Sequence, residues 1–481
     1  MSLPSSDANT EPSGSIRERI ARVSQRIVDL ADRWFPDAYV FVLMAVVVAA
    51  FGAVANGASP VAVSRAFGDG FWNLIPFTMQ IALIAIGGYV VALSPPASAL
   101  LRRIARIPAG GRSAVVWIGV TSILLSLINW GLSLIFSGLL VREIARRKDI
   151  RLDYRAAGAA AYLGLGCGFT LGITSSAAQL QANADSIPPS LLPITGVIGF
   201  SETILTWQNG VTIAAVTLLS AMVCYCTAPA VAKTAADLGI KLDADTIDTA
   251  EPARPGDYIE HSPVLTILVV LLAAGWLWET FRAGNPLITM SGLNTYNLVL
   301  LLLAMLLQWR PINFARAFSR ATPGVAGVLL QFPFYAGIAQ MLTAARSESG
   351  TTLSDTIAAW FVSASGGPEV FSILIGIYSA VLGFFIPSAG GKWVIEAPYI
   401  MAAANDVGAH LGWTVMVYNL AETLPNFINP FWMLPLLGIL GLRAKDLIGY
   451  TSIQFAVHLP VVIVLAALLM PTFTYHPPVQ P

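Results

Sequence analysis

The sequence predicts an all-α polytopic membrane protein, with about nine transmembrane helices plus two re-entrant helical hairpins in two inverted-topology repeats. Composition supports the membrane assignment: of 481 residues, 56% are hydrophobic and only 11% are charged, whereas soluble domains contain about 25% charged residues. Two long apolar segments, one in each half of the chain, are each interrupted near the centre, and these predict the hairpins.

Nine apolar stretches are long enough to cross a bilayer, which takes about 20 residues of helix. They lie at 38–55, 71–94, 156–182, 201–229, 262–281, 293–309, 322–343, 412–440 and 447–470. Glycines at 162–176 predict that one of these helices is broken, and Pro425 and Pro430 predict a second break at 418–429. Arginine and lysine clusters between the stretches predict the cytoplasmic loops.

The segment 113–141 is predicted to enter and leave the membrane on the same side. It is apolar except for Ile128-Asn129-Trp130-Gly131 at its centre, and basic clusters flank both of its ends. Two cytoplasmic ends are incompatible with one simple span, so a re-entrant hairpin is indicated. Irregular backbone at membrane depth is tolerated only where protein or a water-filled cavity satisfies it, which points to a transport site.

The segment 369–404 is the second interrupted stretch. Its apolar arm ends in Pro387-Ser388-Ala389-Gly390-Gly391, and the loops on either side hold a single basic residue, Arg346. Because basic residues are depleted outside the cytoplasm, this hairpin is predicted to enter from the periplasm.

The two halves are related by a weak internal repeat. Gln80 corresponds to Gln331, and Asn129-Trp130-Gly131 to Pro387–Gly391, at offsets of about 250–260 residues. Interrupted segments in inverted halves are the best sequence pointer to a transporter's midplane site. The predicted divisions are a cytoplasmic segment with an amphipathic helix (1–33), a first repeat (34–232), a cytoplasmic linker (233–261), a connecting span (262–292), a second repeat (293–470) and a tail (471–481).

The chemistry expected at the two hairpin tips is anion binding. Half-helix N-termini present unpaired N–H groups to a carboxylate, and glycines let backbone approach a ligand closely. The alternative for any single glycine or proline is a kink or close helix packing. The candidate substrate-binding residues are Asn129, Trp130, Gly131, Ser388, Ala389, Gly390, Gly391, Lys392, Gln331 and Gln80.

Three ionisable residues lie inside apolar sequence: Lys392, Glu396 and Glu422. Charges at membrane depth are costly and usually line a cavity or pathway. Lys392 is expected either to hold an anionic substrate or to pair with Glu396, and Glu422 either to bind the coupling ion or to make structural hydrogen bonds. The candidate coupling-ion residues are Asn129, Ser388, Glu422, Asn426 and Ser175.

The sequence argues against a nucleic-acid-binding protein, a metalloprotein, an enzyme and a channel. Net charge is zero, so no nucleic-acid partner is expected, and three cysteines and four dispersed histidines do not suggest a structural metal. An enzyme would need a catalytic constellation, which the sequence does not present. A channel would need a continuous polar pore, whereas the polar residues here cluster at two tips.

Four strings resemble the bacterial short-chain fatty acid transporter family: Gly68-Asp69-Gly70-Phe71-Trp72-Asn73-Leu74, Ile128-Asn129-Trp130-Gly131, the run from Gln331 to Ile338, and the run from Pro387 to Ile395. The resemblance covers about 34–469. It implies membership of the ion transporter superfamily, with inverted repeats, paired hairpins, dimeric assembly and tips that bind the substrate carboxylate and sodium. Carried over here, this implicates Asn129, Trp130, Gly131 and Ser388–Gly391.

The resemblance therefore implies a symporter for acids such as acetoacetate and butyrate in the bacterial inner membrane. The coupling ion is left open between Na⁺ and H⁺, and no other cofactor is expected. The expected partners are a small monocarboxylate, membrane lipid and a second copy of the chain, with the N-terminus cytoplasmic and the C-terminus periplasmic. A carrier of another small carboxylate, such as a dicarboxylate or amino acid, and an anion channel remain as alternatives.

Overall fold

The computed structural model describes residues 38–229, 231–242, 254–283, 289–290, 292–384, 389–429 and 431–479. Within these residues the secondary structure is helical, and β-structure is limited to isolated bridges. The predicted amphipathic helix within 1–33 and the tip residue Ser388 lie outside the described residues. The all-α prediction is confirmed.

The first half contains α1 (Ala38–Ala55), α2 (Pro60–Gly70), α3 (Ile75–Ala92), α4 (Pro95–Ile104), α5 (Gly111–Ser126), α6 (Trp130–Ala145), α7 (Tyr154–Ala161), α8 (Ser176–Gln181), α9 (Leu192–Thr195) and α10 (Trp207–Thr227). A π-helical turn (Gly164–Gly168) and a 3₁₀ turn (Phe169–Leu171) separate α7 from α8. The predicted break at 162–176 therefore lies between two short helices.

The second half contains α11 (Pro255–His261), α12 (Val264–Ala283), α13 (Leu293–Gln308), α14 (Pro311–Ala321), α15 (Ala326–Ala344), α16 (Leu353–Ala364), α17 (Pro368–Gly383), α18 (Ala389–Asp406), α19 (Leu411–Thr423), α20 (Leu434–Leu440) and α21 (Ala444–Leu469). A 3₁₀ turn (Leu424–Phe427) ends α19, at the predicted proline break.

Six helical stretches of the described chain are long and apolar enough to cross a membrane: Ile75–Ala92, Tyr154–Gln181, Trp207–Thr227, Val264–Ala283, Pro311–Ala344 and Ala444–Thr472. Shorter apolar helices accompany them, including α5, α13 and α17. This composition agrees with the predicted polytopic membrane protein.

Four helices of 10 to 12 residues occupy regions that the sequence analysis treated as loops: α2, α4, α14 and α16. Each is initiated by a local signal. The side chain of Ser59 accepts a hydrogen bond from Ala62 N at the start of α2, Ser94 does the same for Ala97 N at the start of α4, and Pro311 is the first residue of α14. Side-chain caps and an N-terminal proline favour helix initiation.

The two halves pack in corresponding ways. α6 packs on α3 as α18 packs on α15, and α5 packs on α7 and α10 as α17 packs on α19 and α21. The two halves also contact each other directly, since α1 packs on α15 and α3 packs on α13. This packing is what the predicted internal repeat would give, and both the repeat and the opposite membrane orientation of the halves stay predictions.

The two helical pairs at the interrupted segments differ. α5 and α6 pack along one another and are joined by a short tip at 127–129, whereas α17 and α18 make few mutual contacts and pack mainly on other helices. The first pair is a helical hairpin in the described structure, and its re-entry into the membrane stays a prediction.

Candidate functional site

The tip of the first hairpin is fixed by Asn129. Its Oδ1 accepts a hydrogen bond from Leu132 N at 2.8 Å, which caps α6. Its Nδ2 donates to Ile84 O at 3.1 Å and to Tyr296 Oη at 3.4 Å. The fully buried side chain therefore joins the tip to α3 and α13, and its hydrogen bonds are made within the protein.

Close backbone approach at this tip depends on two glycines. A Cβ on Gly88 of α3 would lie 1.9 Å from Asn129 Oδ1, and a Cβ on Gly131 of α6 would lie 2.7 Å from Ala85 O. Neither position can carry a larger side chain unless the tip moves, so α3 and α6 approach each other more closely than other residues would allow.

The second tip presents the N-terminus of α18. Ala389 and Gly390 begin this helix, and a Cβ on Gly390 would lie 3.1 Å from Ser176 Cβ and 3.3 Å from the ring of Phe77. Gly391, the next residue, is also buried. The second tip thus reaches the broken helix of the first half.

A small cavity of about 40 Å³ lies where these elements meet. Its lining residues come from both halves of the chain: Ile81, Trp130, Leu165, Phe169, Ser176, Val328, Phe332, Ala389, Gly390, Asn426 and Trp432. Trp130 and Trp432 pack edge to face with ring centroids 5.6 Å apart, and Phe332 stacks on Phe77. We call this space the central cavity.

The central cavity combines apolar walls with anion-favouring ends. Trp130 is the first residue of α6, a helix of 16 residues, and Ala389 is the first described residue of α18, a helix of 18 residues. The N-termini of these two helices therefore meet at the cavity. None of the described residues that line it is charged. Partial positive charge from helix N-termini is suited to one negative charge, and the aromatic walls are suited to an apolar group.

Buried oxygen atoms lie on the broken helices beside the cavity. Thr170 Oγ1, Asn419 Oδ1 and Asn426 Oδ1 have no hydrogen-bond partner among the described residues. Ser175 Oγ accepts from Asn419 Nδ2 at 2.6 Å and so links the two broken helices. Buried polar atoms are normally satisfied, so these oxygens are available to a cation or water.

A second cavity of about 310 Å³ adjoins the central cavity through Trp130, which lines both. Gly131, Tyr89 and Pro323 are among its other lining residues, and Arg320 is the one charged residue among those described there. We call it the inner vestibule, because it extends from the tip along α6, whose arginine-rich end is predicted to be cytoplasmic.

Four of the predicted substrate or ion residues line the central cavity: Trp130, Ala389, Gly390 and Asn426. Gly131 lines the inner vestibule instead. Sequence reasoning missed Ser176, Phe169 and Trp432 as lining residues. Their position after a glycine-rich break, or after a proline, was the available signal.

Of the predicted glutamines, Gln80 bonds to another helix and Gln331 bonds within its own helix, α15. Gln80 Nε2 donates to Asn294 Oδ1 at 2.8 Å, and Gln331 Oε1 accepts from Tyr335 Oη at 2.9 Å. Neither residue lines the central cavity. Hydrogen bonds of this kind are those expected of residues that stabilise the packing of helices.

Lys392 is fully buried one turn into α18. Its Nζ donates to Ser379 O at 3.1 Å and Ser379 Oγ at 3.0 Å, and it lies 3.5 Å from Glu396 Oε2 and 4.3 Å from the centre of the Tyr418 ring. Of the two expected roles, local pairing with Glu396 is the one that the structure shows.

A cluster of potential metal ligands lies outside the central cavity. It includes two of the histidines that are dispersed in the sequence. His476 Nε2 contacts Glu202 Oε2 at 2.8 Å, and the ligand atoms of Glu202, His410 and His476 all lie within 4.8 Å of one another. His410 Nδ1 also accepts from Trp413 N and caps α19. A metal on the other ring nitrogen would place a proton on Nδ1, so metal binding conflicts with this cap.

The described fold, with six helical stretches able to span a membrane, is that of a polytopic membrane protein. The structure resembles that of the YdaH transporter of Alcanivorax borkumensis, with a TM-score of 0.55 and 16% identity over 90% of this chain and 98% of that chain. It also resembles Neisseria gonorrhoeae MtrF, described with a class of antimetabolite efflux pumps, with a TM-score of 0.54 and 15% identity over 95% of this chain and 100% of that chain. At these identities the likeness shows the fold alone.

The sequence comparisons identify the family. The family model described as short chain fatty acid transporter matches residues 19–470. A provisionally assigned short-chain fatty acid transporter of Escherichia coli (strain K12) is 32% identical over 91% of this chain and 97% of its own length. A provisionally assigned transporter of the same kind from Haemophilus influenzae is 30% identical over 92% and 99%. The protein belongs to the short-chain fatty acid transporter family.

Proposed function

We propose that this protein is a secondary active uptake symporter that moves short-chain fatty acids, such as acetoacetate and butyrate, across the bacterial inner membrane. The observation that carries the proposal is the convergence of two helix N-termini on one small, largely apolar cavity. The substrate carboxylate lies between the tips of α6 and α18, and its alkyl tail contacts the aromatic walls.

The size of the central cavity supports a small substrate. A volume of about 40 Å³ holds about three waters, since each needs roughly 10–15 Å³ by this measure. This is the size range of the smallest monocarboxylates, and longer chains require the walls to move. A dicarboxylate or amino acid carries a further charged group, for which the described lining residues provide no charged partner.

The coupling ion in this proposal is Na⁺ or H⁺. The buried oxygens of Thr170, Asn419 and Asn426 support a cation beside the carboxylate, because unwound helix segments supply oxygen ligands for coupling ions in secondary transporters with discontinuous helices. The buried Lys392–Glu396 pair supports a proton. Homodimer assembly, inner-membrane location and the orientation of both termini accompany the proposal as predictions from the sequence.

Uptake and competition in proteoliposomes test the substrate assignment. The full-length protein should take up labelled butyrate, and unlabelled acetoacetate, butyrate and valerate should compete with graded strength, because each buried methylene contributes about 0.8 kcal/mol. Butyramide and ethyl butyrate should fail to compete, since they lack the charge that the helix N-termini bind. Equal competition by butyramide would refute the carboxylate site.

Counterflow distinguishes a carrier from an anion channel. Vesicles preloaded with unlabelled butyrate should accumulate labelled butyrate transiently against its gradient, because a carrier exchanges substrate across one alternating site. A channel would only equilibrate the label. The absence of an overshoot, with rapid equilibration, would support the channel.

A further inference from the structure

We propose that the buried cluster formed by Lys392, Glu396 and Glu422 is the coupling-proton site of the transporter. The inference rests on the proposed symport function and selects H⁺ over Na⁺ as the coupling ion. One carboxylate of the cluster binds a proton from the outer side to become a carboxylic acid, and releases that proton on the inner side.

Geometry defines the cluster. Lys392 Nζ lies 3.5 Å from Glu396 Oε2, and Tyr418 Oη donates to the same carboxylate oxygen at 2.5 Å. Glu422 lies one helical turn after Tyr418 on the same face of α19, and Lys392 Nζ lies over the Tyr418 ring and interacts electrostatically with Glu422. Lys392 is 0%, Glu396 2% and Glu422 1% exposed, so water does not screen the three charges.

Counting charges shows why such a cluster should bind one proton. One ammonium can neutralise one carboxylate, and the described residues place two carboxylates beside it. Without an extra proton the cluster carries a net charge of −1 in a buried setting, which is costly. With one proton it is neutral. The proton belongs to the cluster as a whole, because strongly interacting groups titrate together.

The other titratable groups around the cluster do not alter this count. Tyr418 on α19 contacts Glu396, and Tyr378 on α17 and Tyr399 on α18 bond to one another at 2.7 Å and interact with Glu396. All three are phenols, which are neutral over the physiological pH range. Ser379 of α17 contributes only a hydroxyl and a carbonyl to Lys392.

The cluster is placed to sense the substrate. Lys392 follows the cavity-lining Gly390 by two residues on α18, and Glu422 precedes the cavity-lining Asn426 by four residues. Adding a proton raises the charge of the cluster by one, which favours a nearby carboxylate. By linkage, the bound carboxylate favours the proton equally. Substrate and proton therefore bind together.

The test measures butyrate affinity against pH with the full-length protein in detergent, by tryptophan fluorescence, without Na⁺. In the wild type the Kd should rise up to tenfold per pH unit above the apparent pKa of the cluster. Glu396→Gln and Glu422→Gln should each flatten this dependence, because either change leaves one lysine and one carboxylate. Lys392→Met should move the dependence to higher pH.

Tyr418→Phe is the matched control, since it removes a hydrogen bond of Glu396 and leaves the charge count unchanged. It should keep the tenfold slope. In proteoliposomes, an inward proton gradient should drive acetoacetate accumulation by the wild type above that of protein-free vesicles. The two Gln variants should retain counterflow and lose this accumulation.

The possible failures are distinguishable. Wild-type counterflow that is independent of pH and dependent on Na⁺ would overturn the proton site and leave the transport function intact. A pH slope that persists in both Gln variants would also overturn it. Failure of the wild type to bind or exchange any short-chain acid would instead refute the proposed function.

Discussion

The substitution Gly88→Ala should displace the tip of the first hairpin. The new Cβ would lie 1.9 Å from Asn129 Oδ1 and 2.6 Å from Leu132 N, where an ordinary contact is 3.4 Å or more. The tip must therefore retreat by about 1.5 Å. That movement breaks the 2.8 Å hydrogen bond that caps α6 and weakens the bond from Asn129 to Ile84.

The expected cost follows from these two bonds. Loss of a helix cap costs about 1 kcal/mol, and a buried polar group left without a partner costs about 1–3 kcal/mol. Gly88→Ala should thus destabilise the folded protein by about 2–4 kcal/mol. The rate of butyrate uptake should fall by more than the loss of folded protein explains, because the cavity-lining Trp130 directly follows the displaced Asn129.

Thermal unfolding in detergent and uptake in proteoliposomes measure the two effects. Gly275→Ala on α12 is the matched control, since its Cβ meets nothing within 4 Å and the change in helix propensity is the same. Adding Gly88→Ala to Asn129→Ala should cost less than adding it to the wild type, because one clashing atom is gone. A Gly88→Ala protein as stable and active as Gly275→Ala would refute the close approach.

Three other perturbations are informative. Trp130→Ala should raise the Km for butyrate at least tenfold, because a large side chain contributes about 1.5–3 kcal/mol of contact and tenfold corresponds to about 1.4 kcal/mol; the exposed Trp278→Ala should have no such effect. Burial and the neighbouring His476 lower the pKa of His410 to about 4 from 6.5. The unfolded chain then binds more protons below pH 6.5, so stability should decline as pH falls from 6.5 towards 4; His410→Asn, which keeps a cap acceptor, should reduce that decline, and an unchanged profile would contradict it. In a cysteine-free background, cysteines at positions 112 and 148 should both be labelled from the cytoplasm, and labelling from opposite faces would contradict the re-entrant hairpin.

Hydropathy and helix interruption were sufficient to predict the framework, because both signals are local. The predicted span at 38–55 coincides with α1 (Ala38–Ala55), and the two breaks fall where glycines and prolines are concentrated. The short helices α2, α4, α14 and α16 were missed because their length is below that of a span. The Ser-Pro or Arg-Pro starts of α2, α4 and α14 and the Thr352–Asp355 capping box of α16 were visible in the sequence.

The site was predicted in part. Trp130 and Gly390 line the central cavity as residues at interrupted tips should. Asn129 was expected to contact the ligand, yet its side chain caps α6 and bonds to α3, because a tip needs its own orphan N–H groups satisfied. Ser176 and Trp432 follow helix breaks that the sequence marks, but their position at the cavity was not predicted because it depends on contacts between the two halves.

The shared wall formed by Trp130 has a kinetic consequence. Trp130 lines both the central cavity and the inner vestibule. The other described walls of the cavity come from α3, α8, α15, α18 and the turns after α7 and α19, and α15 packs on α18. Side-chain rotation is faster than the μs–ms displacement of packed helices. The two halves of the transport cycle should therefore run at unequal speeds, with rapid exchange toward the vestibule and slow reorientation toward the opposite face limiting turnover.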